Sequence, residues 1–367
     1  MPFCTGKCPY CGFYSGIEPS RVRIGSFTAA LLAEIDMRLS PGTPAGTIYA
    51  GGGTPSLLPA ADWRSIMGAV RGRCSVAPGV EATVEVNPGS CGAGVFEGLL
   101  DAGFNRVSIG VQSFEPSVLE ALGRRHSAVE AVRAVETARG TGFRNVSIDL
   151  IFGAPGQNAD AWERDLERAV DLRPEHVSCY SLGFEKGTEF ERALDDGRLE
   201  KPSDDLLADL YFLAHSILTE AGYEHYEVSN YALGREFRSR HNVGYWNGTQ
   251  YFGFGPSAHG YDGGGRRSWN VADLEAYVSL VSEGRSPEAG HECLKPAQRL
   301  LERLMLGLRT SDGMDLDAPT PDAERLVSCW IAEGLCGREG SRLKPTPRGM
   351  LMADGMAENM AAALEPH

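Results

Sequence analysis

The sequence predicts an α/β protein: five strand–helix units whose parallel sheet curls into a partial or full barrel, followed by a small, mainly helical C-terminal module with a short β-wing. Three observations predict it. Short apolar strands alternate with amphipathic helices from Ser26 to about residue 182. The pattern turns mainly helical from about Lys295. Within the first stretch, polar and glycine-rich residues recur at one end of successive strands, where parallel α/β folds gather their ligands.

The elements follow in order. Phe27, Leu31, Leu32, Ile35 and Leu39 recur at helical spacing behind Ser26, read as an N-cap. Strands are read at Thr47-Ile-Tyr-Ala, Ala82-Thr-Val-Glu-Val, Arg106-Val-Ser-Ile-Gly-Val, Val146-Ser-Ile-Asp-Leu-Ile and His176-Val-Ser-Cys-Tyr-Ser-Leu. Ser127-Ala-Val-Glu opens a helix as a capping box. Strand–helix–strand units of about 30 residues imply a parallel sheet with right-handed crossovers. A helix is expected over 206–221, then a Gly- and aromatic-rich stretch over 241–269. Three more helices are expected over 298–308, 324–333 and 350–364, with a short β-wing at Arg342-Leu-Lys-Pro before the last. This divides the chain into a core barrel (1–240), an extension (241–290) and a C-terminal module (291–367).

Composition narrows the function classes. With 35 basic against 49 acidic residues the net charge is −14, which argues against a nucleic-acid partner, since phosphate neutralisation needs a basic face. No apolar run approaches the roughly 20 residues that span a bilayer. The start Met-Pro-Phe-Cys lacks the apolar core of a secretion signal, so a cytoplasmic protein is expected. Nine cysteines without a paired framework point to a reducing compartment. Cys179 and Cys329 lie in apolar runs and are expected to be buried, inert thiols. Cys74, Cys91, Cys293 and Cys336 show no ligand spacing.

The sharpest feature is Cys4-Thr-Gly-Lys-Cys8-Pro-Tyr-Cys11. Three thiolates this close can hold three corners of a 4Fe–4S cube. Gly12, Phe13 and Tyr14 follow instead of a fourth cysteine, so one iron stays open to chelate S-adenosylmethionine. A structural zinc knuckle, the competing reading, prefers four ligands in two close pairs, and no second pair exists here. The strand ends agree with the cluster reading. Gly51-Gly-Gly-Thr-Pro bends close to a ligand, and Glu85-Val-Asn-Pro, Gln112-Ser-Phe and Asp149 follow on later strands.

The cysteine spacing together with Gly-Gly-Gly-Thr-Pro resembles the radical S-adenosylmethionine superfamily. Gly110-Val-Gln-Ser-Phe, Leu122-Gly-Arg-Arg-His and Asp149-Leu-Ile-Phe-Gly-Ala-Pro-Gly-Gln resemble its branch of oxygen-independent coproporphyrinogen III oxidases. His241-Asn-Val-Gly-Tyr-Trp246 matches the His-Asn-x-x-Tyr-Trp signature of the HemW-type haem chaperones, and Leu343-Lys-Pro-Thr-Pro-Arg-Gly resembles their C-terminal module. The resemblance implies a partial (β/α)6 TIM-like barrel of radical S-adenosylmethionine type, its first strand truncated, with a small winged-helix-like C-terminal module and with Cys4, Cys8 and Cys11 on the cluster. Gly52, Gly53 and Thr54 would line the methionine end of the cofactor, and Glu85 would bind its polar groups. Gln112, Arg124 and Asp149 would hold its carboxylate and ribose, with Tyr10 near the adenine. An Arg124–Asp149 internal ion pair is the structural alternative for those two residues.

The same resemblance implies haem as a third bound group, with His241, Asn242, Tyr245 and Trp246 as its candidate residues and His126 and His259 as competing axial ligands. It implies haem-receiving proteins as partners, a membrane-associated recipient among them, and a homodimer. Phe13 stands where the oxidases carry another cysteine, which favours the chaperone. The alternatives are a coproporphyrinogen III oxidase, a radical methyltransferase, or a protein-interaction platform carried by the C-terminal module. Relatives also carry a strand ahead of the cluster loop, so either the true start lies upstream of Met1 or that strand is absent and the first barrel edge is exposed.

Overall fold

Alternation within the strands organises the molecule. The computed structural model describes residues 1–17 and 20–364. Five strands run parallel in sequence order: β1 (Thr43–Ala50), β2 (Cys74–Val86), β3 (Arg106–Gln112), β4 (Val146–Phe152) and β5 (His176–Ser181). On one face Ala82, Val84, Val107, Ile109, Ile148, Leu150 and Val177 are buried in the main core. The alternate residues Tyr49, Glu85, Arg106, Ser108, Asp149, His176 and Ser178 line one cavity on the other face, so the sheet curls around a polar lumen.

Helices α1 (Arg21–Arg38), α2 (Ala60–Arg73), α3 (Ala93–Ala102), α4 (Ala128–Thr141), α5 (Ala159–Leu172) and α6 (Asp204–Glu220) cover the apolar face. The capping box at Ser127 is present, with Glu130 N donating to Ser127 Oγ (3.3 Å) and Ser127 N to Glu130 Oε2 (2.8 Å). Ser26 is not an N-cap. Helix α1 begins a turn earlier, capped by Ser20, because Ile24 extends the buried stripe of Phe27, Leu31 and Ile35.

Two short strands close the far edge of the sheet, β6 (Glu224–Glu227) and β7 (Asn230–Ala232), giving the order β1-β2-β3-β4-β5-β7-β6. Both of their pairings are antiparallel, and the tight turn joining β6 to β7 is too short for the crossover that a parallel pair would need. This hairpin stands outside the expected strand–helix repeat.

Beyond it lie helix α7 (Arg240–Trp246), a three-stranded sheet of β8 (His259–Tyr261), β9 (Arg266–Asn270) and β10 (Glu288–Cys293), and helix α8 (Leu274–Ser282). One fully buried carboxylate ties this segment to α1. Glu34, 0% exposed, accepts from Arg38 Nη1 (2.6 Å), Gly255 N (2.8 Å), Asn270 Nδ2 (2.8 Å) and Tyr277 Oη (2.6 Å).

The last segment builds its own core. Helices α9 (Pro296–Gly307), α10 (Pro321–Ala332) and α11 (Ala353–Leu364) pack Leu304, Val327, Trp330, Met356 and Met360 together. Beside them lies a small sheet of β11 (Met314–Asp315), β12 (Cys336–Glu339) and β13 (Arg342–Pro345). The helix expected over 350–364 is two. A short one, Pro347–Leu351, is locked against the wing, where a Cβ on Gly349 would meet the Leu335 carbonyl oxygen at 1.9 Å. Cys329 is exposed rather than buried, because Ala323, Val327 and Trp330 form the inward stripe of α10 and leave it outside. Cys179 is buried as expected. Among the described residues no helix is long and apolar enough to cross a membrane.

Candidate functional site

A cavity of about 700 Å³ occupies the lumen and its mouth at the C-terminal ends of the strands. Cys4, Cys8 and Cys11 all line it as free, half-buried thiols. A turn bond from Cys11 N to the Cys8 carbonyl (3.1 Å) shapes the loop, and burial pushes the Cys11 thiol pKa up. Among the described residues no three His, Cys, Asp or Glu side chains converge where one metal ion could sit. A cube needs no such convergence, since each thiolate takes a different iron. No other cysteine lines the cavity, so this donor set fits a cluster with one open iron.

The root of the cluster loop is stitched to the glycine turn after β1. Met1 donates its ammonium to the Gly51 carbonyl (2.8 Å), Gly53 N donates to the Met1 carbonyl (2.7 Å), and Thr54 N to the Phe3 carbonyl (2.6 Å). Strand β1 is therefore the sheet's edge, with this segment running beside its continuation. Gly53 must be glycine, since a Cβ there would meet the Phe3 carbonyl oxygen at 2.4 Å. Gly52 sits at φ +104°, open to Gly and strained for other residues.

Gly52, Gly53, Glu85, Gln112, Arg124, Asp149 and Tyr10 all line the cavity. Thr54 does not. It is 1% exposed and lies behind the wall, donating to Cys4 Sγ (3.5 Å) and accepting from Asn87 Nδ2 (2.8 Å). Tyr10 packs on Phe190, their ring centroids 6.2 Å apart. Asp149 sits in the middle of β4 rather than near its end, so it faces the lumen below the rim. The Arg124–Asp149 ion pair does not form. Arg124 donates to Asn87 Oδ1 (2.7 Å), the Gly110 carbonyl (3.0 Å) and Cys8 Sγ (3.5 Å), while Ser108 Oγ supplies both Asp149 oxygens (3.0 and 3.1 Å).

Electrostatics fit a cationic ligand. Glu85 accepts from Tyr49 Oη (2.5 Å) and Gly52 N (3.1 Å), and burial still pushes its carboxyl pKa up to about 7. Burial raises Asp149 as well. The Met1 ammonium acts on Glu85 and Arg106 on Asp149 only from beyond ion-pair distance, so the ammonium and sulfonium of S-adenosylmethionine would relieve both carboxylates further. Gln112 sits at φ +67°, a strained conformation for a side-chain-bearing residue. Asp165 on α5 holds its loop there, accepting from Ser113 Oγ (2.7 Å) and Phe114 N (2.5 Å).

Helix α7 closes the lumen floor. Glu81 accepts from the backbone N–H of Arg240 and His241 (both 3.0 Å), and Ser239 N donates to Tyr226 Oη (3.2 Å). His241 stacks on Tyr49 with ring centroids 4.6 Å apart, and its nitrogens meet Thr47 Oγ1 (2.9 Å) and Tyr245 Oη (3.0 Å). Burial lowers its pKa to about 4, so the ring is neutral at physiological pH. Asn242 lines the lumen. Trp246 lies apart, in a groove against Leu300 and Arg303 of α9. His126 is buried with Nε2 on the Val111 carbonyl (2.9 Å), whereas His259 is exposed.

Sequence reasoning passed over Tyr49, Asn87, Arg106 and Asp165. A polar residue at every second position of otherwise apolar strands was the available signal for Tyr49 and Arg106.

Comparison with known proteins agrees with this geometry. Residues 1–169 match the family model of the radical SAM superfamily, and residues 294–352 that of the HemN C-terminal domain. The chain is 37% identical over 365 residues to the heme chaperone HemW of Mycobacterium tuberculosis, covering 98% of this chain and 93% of the relative. It is 36% identical over 385 residues to the zebrafish (Danio rerio) mitochondrial radical S-adenosyl methionine domain-containing protein 1, covering 99% and 86%. The coproporphyrinogen III oxidase HemN of Escherichia coli, a radical SAM enzyme, has the same fold with a TM-score of 0.83 at 23% identity, over 98% of this chain and 88% of that one.

Proposed function

The chain belongs to the radical SAM family of the heme chaperones HemW, and on that premise we propose that it binds haem and delivers it to recipient proteins. The observation that carries the reading is full-length likeness combined with a His241 helix fixed across the floor of the cofactor lumen. His241 and Tyr245 line a second cavity, beside the lumen, together with exposed Phe252, whose ring faces suit a macrocycle. A neutral His241 imidazole suits iron once Tyr245 Oη swings off Nε2. Phe13, 66% exposed, places no fourth sulfur beside the cluster loop and disfavours the oxidase.

Cluster and S-adenosylmethionine, when bound, supply one-electron reductive chemistry. The chain's own residues bind and orient. Cys4, Cys8 and Cys11 hold the cluster, Gly52 and Gly53 admit the methionine end, and Arg124 and Gln112 take the carboxylate. Glu85 and Asp149 face the cationic and ribose groups, with Tyr10 near the adenine. On this reading 1–240 is the cofactor core, 241–290 carries haem contacts and 291–367 is the chaperone module. The protein acts in the cytoplasm as a homodimer and serves haem proteins, a membrane-associated one among them.

Two measurements test the reading. Haem added to purified protein should shift the Soret band, with weaker binding in His241→Ala. No shift in either protein sinks the chaperone assignment. Protoporphyrinogen formed from coproporphyrinogen III, with reductant and S-adenosylmethionine under anaerobic conditions, would reassign the chain to the oxidases.

Cofactor affinity should also depend on pH. The Glu85 carboxyl titrates near 7, and its protonated form cannot pair with an ammonium. Affinity for S-adenosylmethionine should therefore rise with pH and level off above about 7, changing by up to about tenfold per unit below it. Glu85→Gln should bind weakly with a flat profile, and a flat wild-type profile between about pH 5.5 and 8 would remove Glu85 from the site.

A further inference from the structure

We infer that Arg106 holds a carboxylate of the haem cargo, a propionate that reaches into the lumen beneath the His241 helix. The inference rests on the chaperone reading.

Arg106 opens β3 on the lumen face and is 2% exposed. Among the described residues it has no carboxylate within ion-pair distance (4.0 Å), and its Nε has no hydrogen-bond partner. The chain treats its other deeply placed guanidinium differently. Arg238, 8% exposed, is held by both Glu224 and Asp312. An unpaired buried cation costs several kcal/mol unless something completes it.

Among the described residues the neighbouring carboxylates lie beyond ion-pair distance of Arg106, and each is hydrogen-bonded elsewhere, although Asp149 feels its charge. Glu81 spends both oxygens on the N–H groups that open α7, Asp149 takes two bonds from Ser108, and Glu85 is tied to Tyr49 and Gly52. Arg106 acts on Asp149, His176 and His241 through its field, which places it between the strand wall and the haem-candidate helix.

A second orphan sits beside it. Thr83, its cross-strand partner on β2, is 0% exposed and its Oγ1 has no partner. Thr83 does not line the cavity, so the Arg106 guanidinium alone offers the ligand carboxylate its pair of donors. The carboxylate of S-adenosylmethionine is not the occupant. Gln112, where that group is assigned, lies at the other end of β3, about 20 Å along the strand. Haem brings its own carboxylates on flexible arms.

The test compares haem with its dimethyl ester on the full-length protein, by Soret titration, in wild type, Arg106→Ala and Arg106→Lys. Wild type should prefer haem over the ester by about tenfold or more, the worth of one charge-assisted contact. Arg106→Ala should lose that preference and keep ester affinity, and Arg106→Lys should retain part of it. Equal wild-type affinity for haem and ester overturns the inference and leaves the chaperone reading standing. A preference that survives in Arg106→Ala, or an equal loss of both ligands there, also overturns it and assigns Arg106 a structural role. Wild type that binds neither ligand overturns the chaperone reading and this inference with it.

Discussion

Glu34→Ala should lower stability by about 3–5 kcal/mol, the range for removing one partner of a buried charged network, measured by urea unfolding. All four partners of this carboxylate are donors: a guanidinium, a backbone N–H, a side-chain amide and a phenol. Alanine would leave Gly255 N and Tyr277 Oη buried without an acceptor, while Arg38 Nη1 keeps the Gly253 carbonyl (2.8 Å) and Asn270 Nδ2 the Gly255 carbonyl (2.9 Å). Glutamine should rescue little, because its amide NH2 would face donors where the carboxylate offers oxygens. Only Glu34→Asp keeps two acceptors, at the cost of reach. The strain should fall on the junction between α1 and the 255–277 segment, so amide exchange should quicken first at Gly255 and Tyr277. A loss under about 1 kcal/mol would mean that apolar packing of Phe27 against Tyr277 holds the junction unaided.

Cys8→Ser should abolish the iron–sulfur cluster while leaving the fold intact. Its sulfur makes one long contact in the protein, with Arg124 Nη1 at 3.5 Å, so folding asks little of it. Anaerobic reconstitution should give no visible charge-transfer absorption, near-zero iron and sharply weakened binding of S-adenosylmethionine. Cys91→Ser is the matched control. Cys91 donates to the Asn87 carbonyl (3.3 Å), burial pushes its thiol up to about 12, and it lies outside the cavity, so cluster content should not change. Full cluster content in Cys8→Ser would displace the three-cysteine assignment.

What could be read from the sequence follows from which interactions are local. The five parallel strands were legible because their outward residues form unbroken apolar series, and the cluster loop because its donors lie within eight residues of each other. The Ser127 capping box closes over four residues and was equally plain. Other features depend on distant partners. Ser20 rather than Ser26 caps α1 because Ile24 finds the core. Thr54 lies behind the cavity wall because Asn87 and Cys4 pull it there. Cys329 faces outward because Trp330 takes the inward position on α10. Arg124 bonds to Asn87 instead of Asp149, a choice made by strand register and not by residue type. The Glu34 hub joins residues more than 200 positions apart, and no local pattern announces it.

The stitching of Met1 and Phe3 to the turn at Gly51–Thr54 has a mechanical consequence. The strip that begins the cluster loop and the glycine turn at residues 51–54, proposed to admit the methionine end of the cofactor, share consecutive backbone bonds, so the position of one fixes that of the other. Displacement at one is transmitted to the other as rigid-body motion rather than through side chains. The spacing between the cluster loop and the glycine turn is thus set by main-chain bonds, and side-chain substitution outside the glycines of either segment leaves those donors and acceptors in place.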